Sequence, residues 1–183
     1  IPVVPTELVP HRDERPLTDI FAARGWTDVV VKPAVGASSF GARRFSLPDD
    51  GDSAATHLAY LTSLGDALVQ PYLASVDGHG ERALVWIDGA FTHAVRKTPR
   101  FDGGDEHVSE AVAIEPDEHA LGTRVMAVVA PGALYARVDV ARDAAGVPLV
   151  MELELVEPSL FLIQHPPALD RLVAAIAGRL EAA

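Results

Sequence analysis

Two short stretches near the end of the sequence carry charged residues at a spacing of two. In Tyr135-Ala136-Arg137-Val138-Asp139-Val140, the spacing puts Arg137 and Asp139 on one face of a strand. In Met151-Glu152-Leu153-Glu154-Leu155 the two glutamates share a face, and Met151, Leu153 and Leu155 point to the other. If these strands pair, Arg137, Asp139, Glu152 and Glu154 converge. Three crowded carboxylates repel one another unless a cation sits between them. Oxygen ligands on strands suit Mg²⁺, with Mn²⁺ as the alternative ion. The same pattern also describes the solvent-facing side of an amphipathic hairpin, and from this segment alone the two readings stand level.

Lys32 closes the apolar run Val29-Val30-Val31, where a lysine is unusual unless it is paired or has a task. Its ammonium would balance nucleotide phosphates as a point charge. The competing account is a strand-end lysine whose head reaches solvent. The next residues along the chain favour phosphate. Gly36 to Gly41, including Ser38, Ser39 and Phe40, is a small-residue loop between two strands, able to lay backbone N–H groups over phosphates. It is not a Walker A sequence, since no Gly-Lys-Ser/Thr comes after it, and the spacing fails for a dinucleotide fingerprint. Gln70-Pro71-Tyr72-Leu73 could border a nucleobase, with Pro71 removing one backbone donor. Asp77, Glu81 and Arg82 come next, and Arg96-Lys97 ends the following strand. These cations suit an acyl phosphate or an acidic acceptor, although such clusters are more often surface than site.

Other chemistries find little support. Asp105-Glu106-His107 and Asp117-Glu118-His119 repeat a tripeptide, but no His-Glu-x-x-His helix accompanies them. Both read as solvated loop or helix-start charges. No Gly-x-Ser-x-Gly elbow is present, so serine-hydrolase chemistry has no footing. The absence of cysteine excludes disulfides, thiolate metal sites and a cysteine nucleophile.

The elements that must position these residues follow from periodicity and punctuation. Up to Arg15 the chain is polar and proline-punctuated, which predicts a loop or extended lead-in. A short helix from Pro16 to Arg24 ends at Gly25. Asp28 to Lys32 reads as a strand, the glycine loop leads into a second short strand through Leu47, and Ser53 to Leu64 reads as a helix. Ala67 to Leu73 is a strand, and Arg82 to Ile87 with Phe91 to Lys97 forms a hairpin closed by Asp88-Gly89. Phe101 to Glu106, rich in Gly and Asp, predicts a mobile loop. A helix from Asp117 to Val129 precedes the strand pair Leu134 to Ala141 and Val147 to Leu155, and an amphipathic helix from Ala168 to Leu180 closes the chain. The class is α+β with mainly antiparallel sheets.

With 183 residues, 49% of them apolar, the chain suits one large domain or two small ones. A net charge of -11 argues against a nucleic-acid partner, because such affinity rests on phosphate contacts. No apolar run approaches about 18 residues and no signal-peptide pattern opens the chain. The expectation is a cytoplasmic protein without membrane contact. The opening Ile1-Pro2-Val3-Val4-Pro5-Thr6, without methionine, reads as the interior of a longer protein.

Taken in order, these motifs resemble the ATP-grasp superfamily, in the branch of glutathione synthetase and the RimK-like ligases. The resemblance runs from Val29 to Leu162. It rests on Val30-Val31-Lys32-Pro33 before a Gly/Ser loop, Gln70-Pro71-Tyr72-Leu73, Gly80-Glu81-Arg82 opening a hairpin, and Arg137-Val138-Asp139-Val140 with Glu152-Leu153-Glu154 after it. The wording of Tyr135 to Val140 and Met151 to Phe161 is especially similar to the O-ureido-serine cyclo-ligases of cycloserine biosynthesis. Glu154 stands where glutathione synthetase carries asparagine.

The resemblance implies an ATP- and Mg²⁺-dependent ligase that joins a small-molecule carboxylate to an amine through an acyl phosphate. On it, Lys32 would contact phosphate, and the loop with Gly36, Ser38, Ser39, Phe40 and Gly41 would close over the triphosphate. Gln70, Tyr72 and Leu73 would line the adenine, and Asp77 or Glu81 would bind the ribose. Asp139, Glu152 and Glu154 would hold the magnesium ions, with Arg82, Arg96 and Arg137 as catalytic cations. The implied fold has two subdomains clasping the nucleotide, residues 26–75 and 76–183, after a lead-in over 1–25. An N-terminal domain carried by the family would be missing, so this chain is expected to bind ATP weakly and catalyse poorly by itself. Related ligases commonly assemble as homo-oligomers. The alternative is a non-catalytic, regulatory ATP-binding module of the same fold.

Overall fold

The computed structural model of the chain describes residues 1–36, 40–47, 49–98 and 107–182. They divide into two compact units, Val4–Tyr72 and a second made of Ile1–Val3, Leu73–Thr98 and the chain from His107 onward.

The first unit is a four-stranded antiparallel sheet in the order β1-β4-β2-β3, covered by two helices. Its strands are β1 (Glu7–Val9), β2 (Asp28–Pro33), β3 (Arg43–Ser46) and β4 (Ala67–Pro71), and its helices are α1 (Leu17–Arg24) and α2 (Gly51–Leu64). Alternation sends Val9, Val29, Val31, Phe45 and Val69 inward against Ile20, Phe21, Leu58 and Leu61 of the helices. Burying each such side chain contributes roughly 1.5–3 kcal/mol. α1 stops at Gly25, whose φ of 67° supplies a left-handed cap with its N–H on the Phe21 carbonyl.

The second unit is a five-stranded antiparallel sheet in the order β7-β6-β5-β8-β9. Its elements are α3 (Ser75–Gly78), β5 (Glu81–Ile87), β6 (Ala90–Thr98), β7 (His107–Val112), α4 (Pro116–Val129), β8 (Tyr135–Arg142), β9 (Pro148–Glu154) and α5 (Pro166–Glu181). Asp88 and Gly89, with φ of 44° and 88°, form the tight turn between β5 and β6. One face of the sheet, through Leu84, Ala94, Ala136 and Val138, packs on Leu121, Val125 and Met126 of α4. On the other face Val85 and Ile87 pack on Ala168 of α5 and on residues 160–162. The central strand is therefore covered on both sides.

The α+β class and the antiparallel pairing agree with the sequence expectation. Three elements depart from it. Residues 7–9 of the expected lead-in pair with β4, and α3 and β7 were not anticipated. The expected mobile loop at Phe101 to Glu106 lies outside the described residues. Among the described residues no helix is long and apolar enough to cross a membrane.

Candidate functional site

The register of β8 and β9 sets Arg137 opposite Glu154 and Asp139 opposite Glu152, with a bulge just beyond Asp139. Directly opposed residues share a face. Carboxylate oxygens of Asp139, Glu152 and Glu154 consequently lie within 4.8 Å of one another. Asp139 is fully buried and Arg137 nearly so. The Arg137 guanidinium grips Asp139 with two hydrogen bonds, at 2.8 and 2.9 Å, and also donates to Glu154. It lies over the Phe161 ring, 5.6 Å from the centroid.

Two further residues join this face. Lys97 of β6 donates to Asp139 at 2.7 Å and sits 2.6 Å from Glu81, its opposite number on β5. Four carboxylates thus face two cations, a surplus of two negative charges when all are ionised. Burial and the two cations act on these acids in opposite directions. Burial pushes Glu81 up to about 7, opposed by Lys97 and reinforced by Asp139 and Glu152. Burial also raises Glu154, against the pull of Arg137. Asp139 goes the other way: burial would raise it, but Lys97 and Arg137 outweigh that and hold it below the ordinary carboxylate range. The donor set is acidic oxygen on rigid strands, which fits a hard divalent cation. The arrangement can hold such an ion beside two fixed cations, a suitable reception for a polyphosphate.

Arg82 and Arg96 are placed elsewhere. They oppose each other across β5 and β6, one residue out of phase with Glu81 and Lys97, and so occupy the α4 face of the sheet. Arg82 donates to the Ala113 carbonyl at 2.6 Å, with a buried Nε that makes no hydrogen bond among the described residues. Arg96 reaches the Asp77 carbonyl at 3.4 Å and packs on Gly80, where a Cβ would meet its Cγ at 2.4 Å. The Asp77 side chain is at an exposed position of α3. The structure therefore does not gather Arg82, Arg96 and Asp77 with the carboxylates. It gathers Lys97 instead.

The remaining candidates belong to the four-stranded unit, apart from Leu73. Lys32 of β2 alternates with the inward Val31, and so lies on the sheet face away from the helices, as does Gln70 opposite Val30. Gln70 is buried and donates to the Thr6 hydroxyl at 2.8 Å. The Tyr72 N–H donates to the Asp28 carbonyl, and the Arg44 guanidinium covers its ring at 3.6 Å. In the glycine loop, Gly41 has φ of 73° and packs on Pro33, while its carbonyl meets His57 Nε2 at 2.8 Å. Gly36 also lies close to Pro33, and Phe40 is exposed. Ser38 and Ser39 lie outside the described residues. Leu73 accepts a hydrogen bond from the Val76 N–H at 3.0 Å, closing the first turn of α3.

One expectation needs correction. Glu118, read as a solvated helix-start charge, is fully buried. It completes a capping box with Glu115 and accepts a hydrogen bond from His79 Nε2 at 2.7 Å. His79 lies 39 residues away in sequence, and nothing local to Glu118 announces such a partner.

No family model matches the chain. Among individual proteins, it is 35% identical to the cycloserine biosynthesis protein DcsG of Streptomyces lavendulae, over 99% of its own length and 66% of the relative's. The crystal structure of the D-cycloserine synthetase DcsG superposes with a TM-score of 0.86 at 32% identity, covering 98% of this chain and 66% of that one. Two structures share the fold at lower identity. D-alanine–D-alanine ligase from Bacillus anthracis matches at TM-score 0.70 and 16% identity, over 100% of this chain and 65% of that one. The ATP-grasp ligase PsnB, complexed with a minimal precursor, Mg and ADP, matches at 0.64 and 20%, over 96% and 54%.

Proposed function

Because the chain belongs to the ATP-grasp superfamily, we propose that it supplies the nucleotide- and metal-binding part of an ATP- and Mg²⁺-dependent ligase forming a carbon–nitrogen bond. The observation that carries this reading is the convergence of Asp139, Glu152 and Glu154 on one sheet face beside Arg137 and Lys97. Its relative DcsG is a D-cycloserine synthetase, which makes a small amino-acid-like substrate the natural class here. PsnB, of the same fold, is complexed with Mg and ADP, in keeping with nucleotide and metal at this site.

The reaction has two steps. A substrate carboxylate attacks the γ-phosphate of ATP, giving an acyl phosphate and ADP, and an amine then displaces phosphate. Mg²⁺, when bound by Asp139, Glu152 and Glu154, would supply charge neutralisation at the phosphates. Arg137 and Lys97 hold Asp139 ionised and in place, and present fixed positive charge where negative charge develops. Lys32 and the backbone of the glycine loop would serve the phosphates, and Gln70 to Leu73 the adenine. Positioning and electrostatics account for the catalysis, and no covalent enzyme intermediate is required.

Thermal unfolding with a non-hydrolysable ATP analogue tests the reading. A ligand at about a hundred times its Kd stabilises by roughly 2.7 kcal/mol, a rise on the order of 5–10 °C for a chain of this size. The rise is expected only with Mg²⁺. A chain extended to the relatives' full length should show it as well, and its absence from both would sink the proposal.

A further inference from the structure

The segment after Tyr72 is fastened to the five-stranded unit by bonds that the proposed chemistry leaves unused. Ser75, at the start of α3, brackets the backbone of Arg142 at the end of β8. Its hydroxyl accepts from the Arg142 N–H at 3.1 Å and donates to the Arg142 carbonyl at 2.7 Å. Arg142 is itself held firmly. Its guanidinium makes two bonds to Asp117, at 2.6 and 2.8 Å, one to Glu115 at 2.9 Å and one to the Gly146 carbonyl at 2.6 Å. The Arg142 guanidinium pulls Asp117 down to about 2. At the far side of α3, His79 is tied to the buried Glu118 of α4.

Leu73 lies between Tyr72 and this clamp, and its carbonyl accepts from the Val76 N–H. The Leu73 peptide is thus part of a turn fixed at Ser75 on one side and His79 on the other. We infer that Ser75 is a positioning residue for nucleobase recognition: by bracketing Arg142 it fixes the Leu73 peptide against which the base is read. The inference rests on the ATP reading above.

The chemical reason is that adenine and guanine present opposite patterns on the edge a peptide can read. Adenine offers an amino donor and a ring-nitrogen acceptor, whereas guanine offers a carbonyl acceptor and an N–H donor. A peptide held in one place favours one pattern, and a loosened peptide favours neither. Removing the Ser75 hydroxyl leaves the Arg142 ion pairs with α4 intact, so the fold persists while the turn slackens.

The experiment measures Kd for ATP, GTP and inorganic tripolyphosphate, each with Mg²⁺, by calorimetry on the wild type, Ser75→Ala and Ser75→Thr. The wild type should prefer ATP to GTP. Ser75→Ala should reduce that preference about fivefold to tenfold by weakening ATP alone, the scale of one or two lost hydrogen bonds. Tripolyphosphate should bind all three proteins equally, and Ser75→Thr, which keeps the hydroxyl, should restore most of the preference. An unchanged ATP-to-GTP ratio in Ser75→Ala, or equal losses for ATP and tripolyphosphate, would overturn the inference and leave Ser75 a structural residue. A wild type that binds ATP no better than tripolyphosphate would overturn the nucleotide reading and the inference with it.

Discussion

Lys97 on β6 and Asp139 on β8 meet at 2.7 Å although a whole strand, β5, runs between theirs. On β5 the residue opposite Asp139 is Ala83, which also faces Val95 and so lies diagonal to Lys97, whose own opposite is Glu81. A methyl group there leaves room for the lysine stem to cross, and the ammonium links Glu81 to the acid that Arg137 holds from the other side.

Lys97→Met should therefore be costly. Removing one partner of a buried ion pair leaves uncompensated charge, at a loss of about 3 kcal/mol or more. Glu81, with its pKa near 7, can take up a proton in response. The loss should accordingly be larger at pH 8 than at pH 6, and Glu81→Gln in the same chain should recover part of it. Urea unfolding at the two pH values checks this. Equal losses at both would show that Glu81 does not respond to the lysine.

His93 predicts an acid-side loss of stability. Burial, and then the charge of its stacked neighbour His165, holds it down to about 4, against the carbonyls of Phe161 and Leu160. The unfolded chain binds a proton near pH 6.5, and the folded chain does so only near 4. The neutral-His93 contribution is thus complete above about 6.5 and declines as pH falls towards 4. Glu81 acts with the opposite sign, its raised value lowering stability as pH climbs from 4.5 towards 7. The informative quantity is therefore the difference between wild type and His93→Leu. That difference should change by up to about 1.4 kcal/mol per pH unit within the window. A constant difference from pH 7 to pH 4.5 would refute the assignment.

The metal-ligand candidates were legible because strand periodicity puts residues two apart on one face whatever the rest of the fold does. Arg137, Asp139, Glu152 and Glu154 needed only that β8 and β9 pair. Which of Arg96 and Lys97 faces the carboxylates was hidden by a β-bulge. From the Asp88-Gly89 turn, unbroken pairing would set Arg96 opposite Glu81, but the register shifts at Val85/Trp86 and brings Lys97 there. A bulge leaves little local signature, so the sequence offers Arg96 and Lys97 together as cations ending the strand, and the resemblance gives the role to Arg96. β1 was missed because it is three residues long and closed by Pro10, and its strand partner β4 lies some sixty residues away. Glu118 read as surface because its partner His79 is brought by the sheet, not by the helix it caps.

Gly80 separates the α3 turn from β5 with φ of 84°, and the Arg96 side chain lies against it. Gly80→Ala meets two penalties, a left-handed backbone and a Cβ 2.4 Å from Arg96 Cγ. Together they should cost about 2–3 kcal/mol. Gly80→Ala combined with Arg96→Ala should recover the steric share alone. A single Gly80→Ala variant as stable as wild type in urea would show that the turn adopts another conformation.

The central claim is that Asp139, Glu152 and Glu154 together bind a divalent ion alongside nucleotide. The direct measurement is Mn²⁺ binding, read by electron paramagnetic resonance with a non-hydrolysable ATP analogue present, in the wild type and in Asp139→Asn with Glu152→Gln. The nucleotide's own Mn²⁺ affinity is subtracted with protein-free controls. The account predicts protein-dependent Mn²⁺ binding, displaced by Mg²⁺ and weakened more than about tenfold in the double variant. Equal binding by a folded double variant, or none by the wild type, would contradict it.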